Sequence, residues 1–195
     1  MGRSLEVGVE LRDGEVMARA VAEPACFVQV FDRHGRAVHA YLVRRAGPQI
    51  ADDVLDEVWL QAFASRGRFD EECADARPWL YGIARNVLKS HWRARSRAAP
   101  INGDNAPDAF VEADARLDAV RHRPALWDAL AALPDEDREV LLLVAWEGLT
   151  PAEAAESLGI PQGTTRWRLH RARAAAQRVL DEASDERSEH TTMEV

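Results

Sequence analysis

The chain has 195 residues, a net charge of −8, 47% hydrophobic residues and 30% charged residues. This balance fits a folding chain of one or two domains, and with no run of about 18 apolar residues it excludes a membrane-spanning helix. The opening stretch MGRSLEVGVELRDGE has no apolar segment of the kind a secretory signal carries, so cytoplasm is the expected location.

The acid is unevenly spread. Residues 27–97 carry 12 Lys+Arg against 9 Asp+Glu, net +3, whereas residues 181–195 carry 1 against 6, net −5. Local patches rather than the total govern attraction to phosphate, so a nucleic-acid partner remains open. Cys26 and Cys73 lack metal-ligand spacing and read as buried structural thiols, a redox pair being the alternative.

In chain order, residues 1–12 have little pattern and read as a frayed end. Asp13 to Ala22 forms a short helix capped by Asp13, with Val16, Met17, Ala20 and Val21 at helical spacing. Phe27 to Arg45 is a longer helix with Phe27, Val30, Phe31, Val38, Tyr41 and Leu42 on its apolar side, and Gly47-Pro48 breaks it. Ile50 to Ser65 follows. Val54, Leu55, Val58, Trp59, Ala62 and Phe63 face a core there, while Asp52, Asp53, Asp56, Glu57 and Gln61 form an acidic outer face. That face is equally an ordinary solvated surface whose acids suit the helix dipole.

Arg66 to Arg77 is a polar loop with one aromatic, Phe69. Pro78 then opens the helix PWLYGIARNVLKSHWRARSR. Trp79, Leu80, Ile83, Ala84, Val87 and Leu88 face inward. Gly82, Arg85, Asn86, Lys89, Arg93 and Arg97 face outward as a basic stripe that includes an amide, suited to bases and backbone phosphates. A plain cationic surface fits the same pattern. Residues 98–124 are rich in Pro, Asn, Gly and Asp and read as a linker. A short helix spans 125–133, Pro134 ends it, Asp135 caps the next, and Gly148 closes that one.

Thr150 to Arg173 has the pattern of a helix-turn-helix. Thr150, Pro151 and Glu153 make a capped start. Ala154, Ala155 and Leu158 face one way, and Gly159 ends the helix. The second helix opens at Pro161. Thr165, Leu169, Ala172 and Ala176 form its inward stripe, with Gly163, Arg166, Trp167 and His170 opposite and Arg168, Arg171 and Arg173 at the flanks. Arginines on such a face suit a major groove. This helix is expected to end near Leu180, before a disordered acidic tail at 181–195.

No strand pattern or internal repeat occurs. The expected fold is all-α: one helical domain at 13–97, a flexible linker at 98–124, and a second at 125–180. No phosphate loop, HExxH, GxSxG or metal-ligand spacing is present, so no catalytic residue, metal or cofactor is expected. The paired carboxylates at Asp52/Asp53 and Asp135/Glu136/Asp137 stand at helix starts, where capping accounts for them.

Four stretches, in this order, resemble the extracytoplasmic-function (ECF) sigma factors of the sigma-70 family: DDVLDEVWLQAF, RPWLYGIARNVLKSHWR, ALAALPDEDREVLLLVAWEGLTPAEAAESLGIP and GTTRWRLHRAR. The resemblance implies an initiation factor whose region 2 binds the beta-prime clamp helices of core RNA polymerase and whose region 4 binds the beta flap. It implies polymerase contacts at Asp53, Asp56, Glu57 and Gln61. It implies −10 contacts at Phe69, Arg85, Asn86, Lys89 and Arg93, with a base-capture loop at 66–75. It implies −35 contacts at Thr164, Arg166, Trp167, Arg168, His170, Arg171 and Arg173, and an anti-sigma factor as a further partner. Thr165 stands where the family has a hydrophobe, Trp167 where it has a small residue, and Asp56 where a glutamine is common. A stand-alone helix-turn-helix regulator, with 13–97 as a sensing or dimer domain, and a helical enzyme or thiol sensor are the competing readings.

Overall fold

A computed structural model describes residues 11–98, 130 and 132–193. The expected linker, most of the helix at 125–133 and the first ten residues lie outside the described residues. Six helices make up the described chain: α1 (Asp13–Ala22), α2 (Val28–Ser65), α3 (Arg77–Ala98), α4 (Asp135–Ala145), α5 (Pro151–Leu158) and α6 (Gln162–Met193). The break expected at Gly47-Pro48 is a kink inside α2, where Gly47 takes φ 78°.

The N-terminal unit packs α1 and α3 on α2. Val16, Met17 and Ala20 of α1, Val30, Val38, Leu42, Val54, Val58 and Ala62 of α2, and Leu80, Ala84, Val87 and Leu88 of α3 are buried together. Asp13 is not the cap. Arg12 holds that position, and the buried Asp13 carboxylate instead joins three segments. It receives Arg33 Nη1 at 2.8 Å, lies 2.6 Å from His34 Nε2, and accepts the Ala76 N–H at 2.8 Å. Burial alone would raise its pKa, but the bonds from His34, Ala76 and Arg33 outweigh that and lower it to about 2.

The C-terminal unit is the helix-turn-helix. Thr150 accepts the Glu153 N–H at 3.2 Å while Glu153 accepts the Thr150 N–H at 2.7 Å, the expected reciprocal cap. Gly159 ends α5 with φ 64°, a conformation that costs other residues steric strain. Thr165 is fully buried, and its hydroxyl donates to the Pro161 carbonyl at 3.3 Å, so the hydroxyl at this inward position is satisfied. Asp135 does not cap α4, since Pro134 stands at the cap and Asp135 turns to Arg138 at 3.2 Å. The helix expected to end near Leu180 continues to Met193. Past Gly163 it holds neither Gly nor Pro, and Gln177 bonds Asp181 one turn on at 2.8 Å.

The two units are docked, not held apart. Tyr81, outside the expected inward stripe of α3, is buried and stacks on Tyr41 with ring centroids 4.8 Å apart. Gly82, expected to face outward, lies against α5, where an added Cβ would come 3.0 Å from the Ser157 carbonyl oxygen. The buried Ser157 hydroxyl donates to the Pro78 carbonyl at 2.6 Å. Arg44 Nη2 donates to both carboxylate oxygens of the buried Glu147, at 2.6 and 2.8 Å. Tyr41 donates to Glu139 at 3.2 Å, and Arg45 forms an ion pair with the same carboxylate at 3.4 Å. Val140, Leu143, Leu149, Leu158 and Leu169 thereby join the core of the first unit.

Candidate nucleic-acid interface

Helix α3 has three sides because two elements cover it. Leu80, Ala84, Val87 and Leu88 fill the core beneath, and Pro78, Gly82 and the hydroxyl of Tyr81, bonded to Glu147, meet the second unit. What remains open carries Asn86, Lys89 and Arg93, all exposed. Partial desolvation lowers the Lys89 pKa, and the positive charges of Arg85 and Arg93 lower it further. Glu139 and Glu136 act the other way from α4, and the exposed cations of this side attract a polyanion.

Two residues of the expected −10 set are not on this open side. Phe69 is buried, its ring edge-on to Trp79 with centroids 5.3 Å apart, so it anchors the loop from beneath rather than offering a stacking face. Arg85 is half-buried, and its Nε is enclosed without a hydrogen-bond partner among the described residues. In the loop at 66–75, Arg66 is tied down by bonds to the Ala20 and Phe63 carbonyls at 2.8 and 2.6 Å, while Asp70, Glu71 and Glu72 are exposed. The aromatic that does stand beside the basic face is Trp92. It shares a shallow groove of about 580 Å³ with Ser90, Arg93, Ser96 and Arg97. Its position one residue before Arg93 was the signal available in the sequence.

On α6 the expected division of faces holds. Thr165, Leu169 and Ala172 are buried, and Arg166, Trp167, His170, Arg171 and Arg173 are exposed. Thr164 is half-buried at the helix start. Two of the arginines are already engaged by acids at the start of α4. Arg168 pairs with Glu136. Arg171 donates from Nε and Nη2 to the fully buried Asp137, the latter at 2.7 Å to Oδ1. This bond holds its pKa above the ordinary arginine value. Asp135, Glu136 and Asp137 are therefore not explained by capping alone, because two of them brace the second helix of the motif from 32 and 34 residues away.

Asp53, Asp56, Glu57 and Gln61 are exposed along the second half of α2, with Gln61 Nε2 donating to Glu57 Oε1 at 2.7 Å. Beside them runs an apolar groove of about 570 Å³ lined by Phe27, Val28, Phe31, Trp59, Leu60 and Phe63. Phe31, expected in the core, is 46% exposed here, and Leu60 is 64% exposed. Cys26 and Cys73 are free and half-buried rather than buried. Among the described residues Asp13, His34 and Asp75 come close enough to share a cation, but Arg33 already occupies the Asp13 carboxylate.

Residues 30–98 match the family described as Sigma-70 region 2, and residues 123–175 match Sigma-70, region 4. The chain is 35% identical over 176 residues to the ECF RNA polymerase sigma factor SigM of Mycobacterium tuberculosis, spanning 88% of this chain and 86% of that protein. It is 31% identical over 169 residues to SigL of the same organism, spanning 86% and 96%. Among solved structures it is similar to CnrH in complex with the cytosolic domain of CnrY, with a TM-score of 0.62 and 25% identity, spanning 87% of this chain and 97% of that one.

Proposed function

The chain belongs to the sigma-70 family, in its extracytoplasmic-function group, and from that premise we propose how its surfaces divide the work of starting transcription. The protein is an initiation factor rather than an enzyme. It binds core RNA polymerase and directs it to promoters.

In this reading Arg166, Trp167 and His170 enter the major groove of the −35 duplex with Arg171 beside Trp167, and Thr164, Arg168 and Arg173 lie toward its backbone. Asn86, Lys89 and Arg93 hold the opened −10 strand, and Trp92 supplies the face on which an unpaired base stacks. Asp53, Asp56, Glu57 and Gln61 dock on the clamp helices, with the groove from Phe27 to Phe63 taking apolar side chains beside them. The carrying observation is that one chain exposes two separate basic helix faces, Asn86 to Arg93 and Arg166 to Arg173, and an acidic face at a third place.

CnrH is held in its structure by the cytosolic domain of CnrY. A protein partner of that type, an anti-sigma factor competing for the acidic face and its groove, belongs to this reading. No helix among the described residues is long and apolar enough to cross a membrane. A promoter as target makes cytoplasm the working compartment.

The test is run-off transcription with the purified full chain, core polymerase and a random promoter library. Discrete start sites that share two spaced upstream elements are expected. Core binding without any promoter selection overturns the reading.

A further inference from the structure

Trp167 stands on the outer face of α6 with 56% of its surface exposed. One turn on, the guanidinium carbon of Arg171 lies 4.0 Å from the centre of the indole. Arg171 is itself fixed. Its Nε and Nη2 both donate to the carboxylate of Asp137, which is fully buried at the start of α4. A planar cation held by two charge-assisted bonds to an immobile carboxylate makes a rigid shelf, and the indole rests on it. The ring is therefore oriented before any DNA arrives.

A rigid apolar ring chooses its partner narrowly. Covering an unpaired donor or acceptor costs free energy, and covering a hydrocarbon gains it. Base edges in the major groove are polar with one exception, the 5-methyl group of thymine. Arg171 has Nε and Nη2 turned to Asp137 and its plane stacked on the indole, which leaves Nη1 as its donor for DNA and makes Trp167 the broader contact. Resting on the sigma-factor reading above, we propose that Trp167 is the specificity-determining residue of the upstream contact and selects a thymine through its 5-methyl group, with Arg171 and Asp137 as positioning residues that aim the indole.

Uracil differs from thymine by that methyl group alone. Once a promoter has been selected from the library, each thymine of its upstream element is replaced by uracil in turn, and initiation by the reconstituted polymerase is measured. At one or a few positions uracil should lower initiation about fourfold, the worth of one buried methyl group. Trp167→Ala should abolish that preference, and Trp167→Phe should keep part of it. Arg171→Lys keeps the charge but not the flat stack, so it should also reduce the preference. A purely structural role for Arg171 would instead change total yield and leave the thymine-to-uracil ratio alone. If a variant initiates weakly, the same ratio is read from competition of the two fragments for its polymerase complex. Initiation that is blind to uracil at every upstream thymine, or a ratio unchanged in Trp167→Ala, overturns the proposal and leaves the sigma reading intact. Failure of the unmodified chain to initiate on any library member overturns both.

Discussion

Arg44 and Glu147, 103 residues apart, meet in a two-pronged ion pair that ties α2 to the segment between α4 and α5. Glu147 is almost wholly enclosed, and the Arg44 side chain keeps 27% of its surface. Removing the carboxylate leaves the cation without its partner in a partly enclosed position. Because Arg44 retains access to water, the cost should fall to about 2 kcal/mol, below that of a fully buried pair. Glu147→Ala is expected to loosen the two units, so that one thermal transition by calorimetry becomes two. A single transition at an unchanged midpoint would contradict this.

Gly82 sets how closely α3 and α5 approach. A Cβ there comes 3.0 Å from a backbone oxygen, which a small shift relieves but a branched side chain worsens. Gly82→Ala should leave small-angle scattering unchanged, whereas Gly82→Leu should enlarge the radius of gyration with helix content retained. A leucine variant as compact as the parent would show that the contact does not govern docking.

Asp13 gives the fold an acid limit. Its folded pKa of about 2 lies below the ordinary aspartate value of 3.8, so its contribution is fully present above the unfolded value and is lost as pH falls through the folded one. The difference is worth about 2 kcal/mol at neutral pH. Asp13→Asn should lower stability at pH 7 by that order and flatten the pH dependence between about 4 and 2. Equal denaturant midpoints for the two proteins at pH 7 would exclude this role.

The two basic faces should respond separately to salt. In the polymerase complex, Lys89→Ala should reduce the slope of log affinity against log salt for a single-stranded −10 fragment by roughly 0.7, and Arg166→Ala should reduce it for a −35 duplex by roughly 0.9. Neither variant should alter the other's fragment. Anisotropy titrations at several salt concentrations measure both.

Much of this architecture could be read from local pattern. The capping box at Thr150 and Glu153, the inward stripe Thr165, Leu169 and Ala172, and the break at Gly47 each depend on residues within a turn or two of one another. What escaped depends on distant partners. Tyr81 and Gly82 lie beside the apolar stripe of α3 and look solvated until Tyr41 and Glu147 take the first and α5, 79 residues on in the Ser157–Pro78 bond, covers the second. Asp137 stands where a helix-start acid needs no other reason, and only the return of α6 gives it Arg171. Asp13 looked like a cap for the same reason. In the candidate site the exposed cations and Asn86 were legible from periodicity. The burial of Phe69 was not, because an aromatic in a polar loop carries no mark of which way it turns, and for Trp92 the sequence offered only its place beside Arg93.

Arg85 follows the spacing of Tyr81 and Gly82 along α3, and its Nε is shut in with no acceptor among the described residues. A donor on a permanent cation that is denied both water and an acceptor raises the free energy of whatever shape encloses it. Any acceptor brought to that Nε, a strand phosphate included, would relieve a cost that the free protein carries in the helix expected to grip the strand.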